Sequence, residues 1–211
     1  MSETPVPTVH VDAWQPDWFI GGHLVLDLVN TVAWRFDPDR SVDRLPDTAA
    51  VIGWAQAVEL VDTRRSEELH AEAEVHPEVA GTVASQVRQL REQLSRLLHP
   101  LAVGTSPDHA LVRAVRETIT DALGHAQIAT VVPLQWAVPI TGMQDLPRAL
   151  ALSAWQLLQF DDLTRLRQCR DSGCGWLFLD RSKNHSRVWC SSADCGNRTR
   201  ARQHYQRQRG R

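Results

Sequence analysis

The chain has 211 residues, 43% hydrophobic and 23% charged, with a net charge of −2. A chain this long buries a real core without staples, so any staple is expected to be local. No stretch of about 18 uninterrupted apolar residues occurs, and the opening MSETPVPTVHVDAWQPDW has no basic segment followed by an apolar run; neither a membrane span nor an export signal is expected. The expected location is cytoplasmic, where thiols stay reduced. The small net charge hides an asymmetry. Residues 165–211 carry 12 Lys/Arg against 3 Asp/Glu, whereas residues 1–164 carry 11 against 22. An acidic body with a basic tail points to a polyanionic partner for the tail.

In chain order, residues 1–18 hold three prolines and read as a flexible arm, pinned by Trp14 and Trp18. After Gly21-Gly22, the apolar segment 23–34 (HLVLDLVNTVAW) repeats Leu24, Leu28 and Val32 every four residues, which predicts a helix. Residues 35–46 read as a loop. Asp47 is the expected N-cap of a helix with Val51, Trp54, Ala55 and Val58 on one face. Residues 62–78 predict a charged surface helix. Three stronger apolar stripes follow: Val87 to Leu101, Val112 to Leu123 after a start at Ser106-Pro107-Asp108, and Leu146 to Leu158. Between the last two, Ile128, Val132, Leu134, Trp136, Val138 and Ile140 share one parity, as strands require, with Pro133 and Pro139 restricting them to edges. The body–tail boundary falls near 161–168, where a continuous helix is expected in place of a flexible linker. His70 to His76 (HAEAEVH) places His/Glu pairs at i,i+4 on the charged helix, which is ordinary solvated surface, and no site is expected there.

All four cysteines, Cys169, Cys174, Cys190 and Cys195, fall within the last 43 residues as C-x4-C-x15-C-x4-C. Two equal pairs separated by a hairpin-sized spacer are what one tetrahedral Zn2+ needs from a short chain. Disulfides would need an export signal, and four unrelated buried thiols would make the clustering accidental. One structural zinc is therefore expected, and four thiolates leave no open position for catalysis. Trp176 to Leu179 and Val188-Trp189 flank a polar turn and predict a hairpin under the metal, and Asn197 is the expected cap of a final helix. The expected fold is mainly α with a short β-hairpin (α+β) in the N-terminal domain, residues 19–164. A small treble-clef-like zinc module, residues 165–211, follows and ends in a basic helix.

Residues 197–211 (NRTRARQHYQRQRGR) contain six arginines and no acid. Arginine matches phosphate with a planar fork of donors and can read guanine edges. The candidate nucleic-acid contacts are Lys183, Arg187, Asn197, Arg198, Arg200, Arg202, Arg207 and Arg209, with Arg211 beyond them. The bland alternative is a solvated tail. Within the predicted 23–34 helix, His23, Asp27, Asn30 and Trp34 fall in one narrow arc. They form either a small-molecule pocket or else a partly exposed face or hydrogen-bonded buried network, and the latter pair is favoured because little besides fold-level analogy argues for a ligand.

The stretch from Cys169 through Phe178-x-Asp180-x-Ser182-Lys183-Asn184 and Arg187-x-Trp189-Cys190-Ser191 to Cys195-Gly196-Asn197-Arg198 closely resembles the CGNR zinc finger. Gly21-Gly22-x-Leu24-x-Leu26-Asp27-Leu28-x-Asn30-Thr31 resembles the start of the ABATE domain that precedes it in that family of stress-induced transcription regulators. Lys183 departs from the arginine common at its position, keeping charge but losing the bidentate fork. The resemblance implies that the four cysteines are the zinc ligands and that the chain binds duplex DNA and controls transcription. The N-terminal domain would sense a small-molecule effector or mediate homodimerisation. No catalytic residue is expected: the chain lacks G-x-S-x-G, H-E-x-x-H, a P-loop and G-x-G-x-x-G. The competing readings are an RNA-binding or protein-adaptor zinc module, and an enzyme acting through the N-terminal domain.

Overall fold

The computed structural model describes residues 6–130 and 132–209. Arg211, counted above in the basic run, lies outside them. The body comprises α1 (Leu24–Val29), β1 (Val32–Ala33), β2 (Val42–Asp43), α2 (Thr48–Ala57), α3 (Thr63–Val75), α4 (Pro77–Ala102), α5 (His109–His125), β3 (Gln127–Ile128), β4 (Trp136–Ala137) and α6 (Leu146–Phe160). The tail adds β5 (Leu166–Gln168), β6 (Leu177–Leu179) and α7 (Asn197–Arg209). Each sheet is a two-stranded antiparallel pair: β1 with β2, β3 with β4, β5 with β6. The chain is thus mainly helical with small strand pairs, as its pattern required.

The 26-residue α4 runs through the middle, packed by α1, α2, α5 and α6. Its stripe of Val83, Val87, Leu90, Leu94 and Leu98 is buried, each side chain contributing about 1.5–3 kcal/mol. Asp47, Asp62 and Asp108 cap α2, α3 and α5 by accepting from the amides of Ala50, Arg65 and Leu111, worth about 1 kcal/mol each. Pro107 therefore precedes the cap of α5 and does not lie in its first turn. The buried face of α5 is Leu111, Val115, Ile119 and Ala122, while Val112 points outward. Beneath this core Arg91 grips Asp43 bidentately, Nη1 to Oδ1 at 2.6 Å and Nη2 to Oδ2 at 2.7 Å, and also donates to Thr31 Oγ1 at 3.1 Å.

Several expectations are corrected. The helix expected over 23–34 stops after six residues, and Val32 and Ala33 pair instead with Asp43 and Val42. The β-branched pair Thr31-Val32 suits a strand, Thr31 O accepts from the amide of Arg44, and Trp34 at φ 55 turns the chain away. His23, Asp27, Asn30 and Trp34 therefore do not share one helical face. In the 128–140 segment only Gln127↔Ala137 and Ile128↔Trp136 pair, and Ile128, Val132, Leu134 and Trp136 are exposed. The common parity is real but faces solvent, with only Val138 of the set buried. The body–tail junction is not a continuous helix: α6 ends at Phe160, Asp161 is extended, and a short 3-10 turn, Leu163–Arg165, leads into β5. Asp162 caps that turn by accepting from the amide of Thr164. The segment expected as a flexible arm is docked over its described part. Pro7 and Val9 exchange backbone hydrogen bonds with Asp43 at 2.8 and 2.9 Å, and Trp14 packs on the core beside Phe19.

The expected hairpin of 176–179 with 188–189 does not form either. β6 pairs with β5 across the first cysteine pair, with Leu166 opposite Leu179 and Gln168 opposite Leu177. This pairing joins the two parts of the chain. Leu166, Leu177 and Leu179 enter the core of the body, and Phe178, on the other face of the same strand, packs among the cysteines.

Candidate metal centre and basic helix

Each cysteine pair is presented by a short backbone turn. In the first, Asp171 O accepts from the amide of Cys174 at 3.0 Å, and Asp171 Oδ1 accepts from Gly173 N at 3.2 Å. Gly175 then takes φ +72, a conformation that favours glycine, and lies so close to Arg35 that a Cβ would sit 3.0 Å from its side chain. In the second, Ser191 caps a five-residue π turn, Ser192–Gly196, by accepting from Asp194 N, and Cys195 lies inside that turn. The turn runs on into α7, so Asn197 is the first residue of the α-helix and not its cap. Its side chain donates to Ala193 O at 2.9 Å and accepts from Arg200 at 2.6 Å.

All four cysteines are free and buried, and their sulfurs lie within 4.8 Å of one another. Cys174 and Cys190 are 3.7 Å apart, and Cys190 and Cys195 are 3.4 Å apart. A tetrahedron with Zn–S bonds of about 2.3 Å has edges of about 3.8 Å, so the sulfurs fit the ion. Trp34, Trp176, Trp189, Ile20 and Phe178 wrap the cluster.

The charge of four thiolates on Zn2+ is formally −2, and Arg198 answers it. Its Nη2 donates to Cys195 Sγ at 3.2 Å, its Nε to Asp171 Oδ2 at 3.2 Å, and its Nη1 pairs with Asp194 Oδ1 at 2.9 Å. Burial opposes its charge, but Asp194, Cys195 and Asp171 outweigh that and raise its pKa above the ordinary arginine value. The Arg198 guanidinium also stacks 4.1 Å over the Trp34 ring, whose other partner is Arg40 at 3.4 Å.

Comparison with known families agrees with this geometry. A family model described as "Putative stress-induced transcription regulator", ABATE, matches residues 22–165. The chain belongs to the ABATE family. A second model, the CGNR zinc finger, matches residues 165–208 directly after it. No curated protein matches the chain. The four CGNR cysteines hold one structural zinc. No described helix is long and apolar enough to cross a membrane.

The expected nucleic-acid residues divide into two groups. Arg187 is turned inward: it donates to Trp189 O, Cys190 O and Ile20 O and stacks over Phe178 at 4.2 Å, clamping the CGNR finger shut. Arg198 is held as above, and Arg202 reaches Asp171 Oδ1 at 3.4 Å. Asn197 and Arg200 bond each other, although both are exposed. Lys183, Arg207 and Arg209 stand in solvent, as does Tyr205. The helix is therefore anchored at its first turns by salt bridges to Asp171 and not by apolar packing.

Asp171 was missed in the sequence. Its one signal was an acid inside an otherwise basic tail, and it is 1% exposed beneath two arginines. The four polar residues of the ABATE segment also separate. His23 caps α1, its Nδ1 accepting from Val25 N at 3.2 Å, and faces Asp161 at 3.8 Å. Burial lowers its pKa, with Asp161 opposing and Arg181 assisting. Asp27 accepts from Gly21 N at 2.8 Å, and burial pushes its pKa up to about 6 despite that bond. His23 and Asp27 line one shallow groove with Phe19, Val58 and Glu59. Asn30 leaves it altogether: its amide pairs with both backbone groups of Leu177 at 2.9 Å each, buried at the seam between ABATE domain and finger. Trp34 lies against the finger.

Proposed function

We propose that this protein is a zinc-dependent, DNA-binding transcription regulator of the cytoplasm, not an enzyme, whose ABATE domain senses a small-molecule effector. The observation that carries the reading is the outer face of α7. Its 13 residues span about 20 Å and contain no acid, and a major groove is wide enough to admit an α-helix. Arg207 and Arg209 on its far end, Arg200 on its flank and Lys183 on the neighbouring loop are exposed donors for phosphate and base edges, while Arg198 and Arg202 fix the helix's direction. The zinc, the knuckles and the seam with the ABATE domain together hold a highly charged helix that would fray alone. DNA is favoured over RNA because this surface offers Tyr205 and His204 as its aromatic groups, too few for a base-stacking platform.

A homodimer would present two such helices to two half-sites. The exposed apolar residues of the β3–β4 hairpin support that arrangement.

Binding of zinc-loaded protein to labelled duplex DNA, single-stranded DNA and RNA, each followed across a salt series, tests the function. Duplex is expected to bind tightest, with an affinity that falls steeply with salt. Equal, weak binding to all three would defeat the reading.

A further inference from the structure

Along α6 runs a groove of about 450 Å3, walled by β4 and by the turn from α2 into α3. Leu24, Val138, Ile140 and Leu152 make it apolar. Ala149, Leu152, Ser153 and Gln156 stand at i, i+3, i+4 and i+7, so α6 gives it one continuous face. The outward hairpin residues Ile128, Val132 and Leu134 do not line it. Both walls are tied down: Gln156 Nε2 donates to Trp136 O at 3.3 Å, and Arg65 Nη1 donates to Thr141 O at 3.5 Å.

Ser153 is the exception in this apolar lining. It is 7% exposed, and among the described residues its hydroxyl has no hydrogen-bond partner. A helical hydroxyl can donate to the carbonyl four residues back, as Thr82, Thr118 and Thr120 do here. Ser153 does not, and unlike the sealed Ser41 hydroxyl it keeps an opening, which is the groove. The charges at the rim are already matched. Arg64 and Arg65 each pair with Glu68 at 2.7 Å, and Asp62 Oδ1 accepts from Arg65 N at 2.7 Å.

We infer that this groove binds a small, uncharged, mainly apolar molecule carrying one hydroxyl or carbonyl oxygen, with that oxygen on Ser153. The volume lies within the roughly 300–1,000 Å3 of small-molecule sites, which combine apolar walls with few polar groups. A serine hydroxyl donates and accepts, so either oxygen fits. A charged head would lose its hydration and find both arginines occupied. Leu24 begins α1, and three residues before it Gly21 O accepts from the amide of Leu179 in β6 at 2.8 Å. A ligand against Leu24 therefore bears on the segment that holds a strand of the finger. This regulatory consequence rests on the effector reading above; the site itself does not.

The test uses full-length, zinc-loaded protein labelled with 15N and the indole N–H resonances of its eight tryptophans, with Trp136→Phe identifying Trp136. The α6 face from Ala149 to Gln156 is about 10 Å long, so octan-1-ol and octanoate, alike in length but not in charge, are the probes. Saturable shifts at Trp136 are expected with octan-1-ol, with octanoate about tenfold weaker or worse. Ser153→Ala should weaken octan-1-ol about threefold or more while retaining zinc. No saturable shift at Trp136, or octanoate binding as tightly as the alcohol, overturns the site, and neither result needs a variant to fold. Unchanged affinity in Ser153→Ala overturns the serine as its anchor. Repeating the DNA titration with saturating octan-1-ol separates the two ideas. A changed DNA affinity supports both, whereas alcohol binding with unchanged DNA affinity upholds the site and removes its regulatory role.

Discussion

Replacing Asn30 with alanine probes the seam between the ABATE domain and the finger more sharply than any other change. The Asn30 side chain donates to Leu177 O and accepts from Leu177 N, both at 2.9 Å and both buried. Leu177 is 0% exposed, so no water replaces the lost partners. Each orphaned backbone group costs about 1–3 kcal/mol, so the variant should lose about 2–5 kcal/mol. For a chain of this size that is a fall of roughly 4–20 °C in Tm. The loss should reach the metal. Leu177 sits on β6, whose other face presents Phe178 to the cysteines, so zinc transfer to a chromogenic chelator should accelerate in step with unfolding. Urea unfolding by circular dichroism and the chelator assay, run on the same samples, measure both. A loss under about 0.5 kcal/mol would show that the amide pairing is not a real constraint. A full loss of body stability with unchanged zinc release would show that the finger folds independently of the body.

Other perturbations have defined outcomes. Arg91→Leu strands the Asp43 carboxylate and should cost about 3–5 kcal/mol in urea unfolding; a cost under 1 kcal/mol would mean the pair is solvated. Asp27 has a pKa of about 6 in the folded chain against 3.8 ordinarily, so between those values the folded state holds a proton the unfolded state lacks and its stability contribution falls as pH rises. Asp27→Asn should therefore match wild type below pH 4 and exceed it by about 3 kcal/mol above pH 6, and a gap that does not vary with pH contradicts the burial argument. His23, with its pKa lowered, works in the opposite direction below its ordinary 6.5, which is why the comparison is made between variants. Arg207→Ala with Arg209→Ala should lower the salt slope of DNA binding by about 1.8 with zinc retained, while Arg198→Ala should hasten zinc release through the lost bond to Cys195; the reverse pattern would exchange their assigned roles. Chelating the zinc should red-shift the emission of Trp34, Trp176 and Trp189 and melt α7, so an unchanged spectrum would mean the sulfurs stay packed without metal.

The cysteine spacing, the acid-free tail and the helical stripes of α4, α5 and α6 were legible in the chain because each is a local or strictly periodic signal. The same is true of the cap Asp47, whose bond closes within three residues. What the linear order could not show was pairing between distant segments. Val32 reads as helix by its spacing from Leu24 and Leu28, yet it is drawn into a strand by Asp43 and the chain turns at Trp34. Asn30 reads only as one of a polar arc because nothing near it in sequence is its partner; that partner lies 147 residues away. Arg198 reads as a DNA contact because its charge is visible and its neighbours Asp171, Cys195 and Trp34 are not. Tertiary structure alone decided that β6 carries leucines into one core and a phenylalanine into another. The zinc finger is consequently built onto the ABATE domain, since a strand with two faces buries both only when something packs against each.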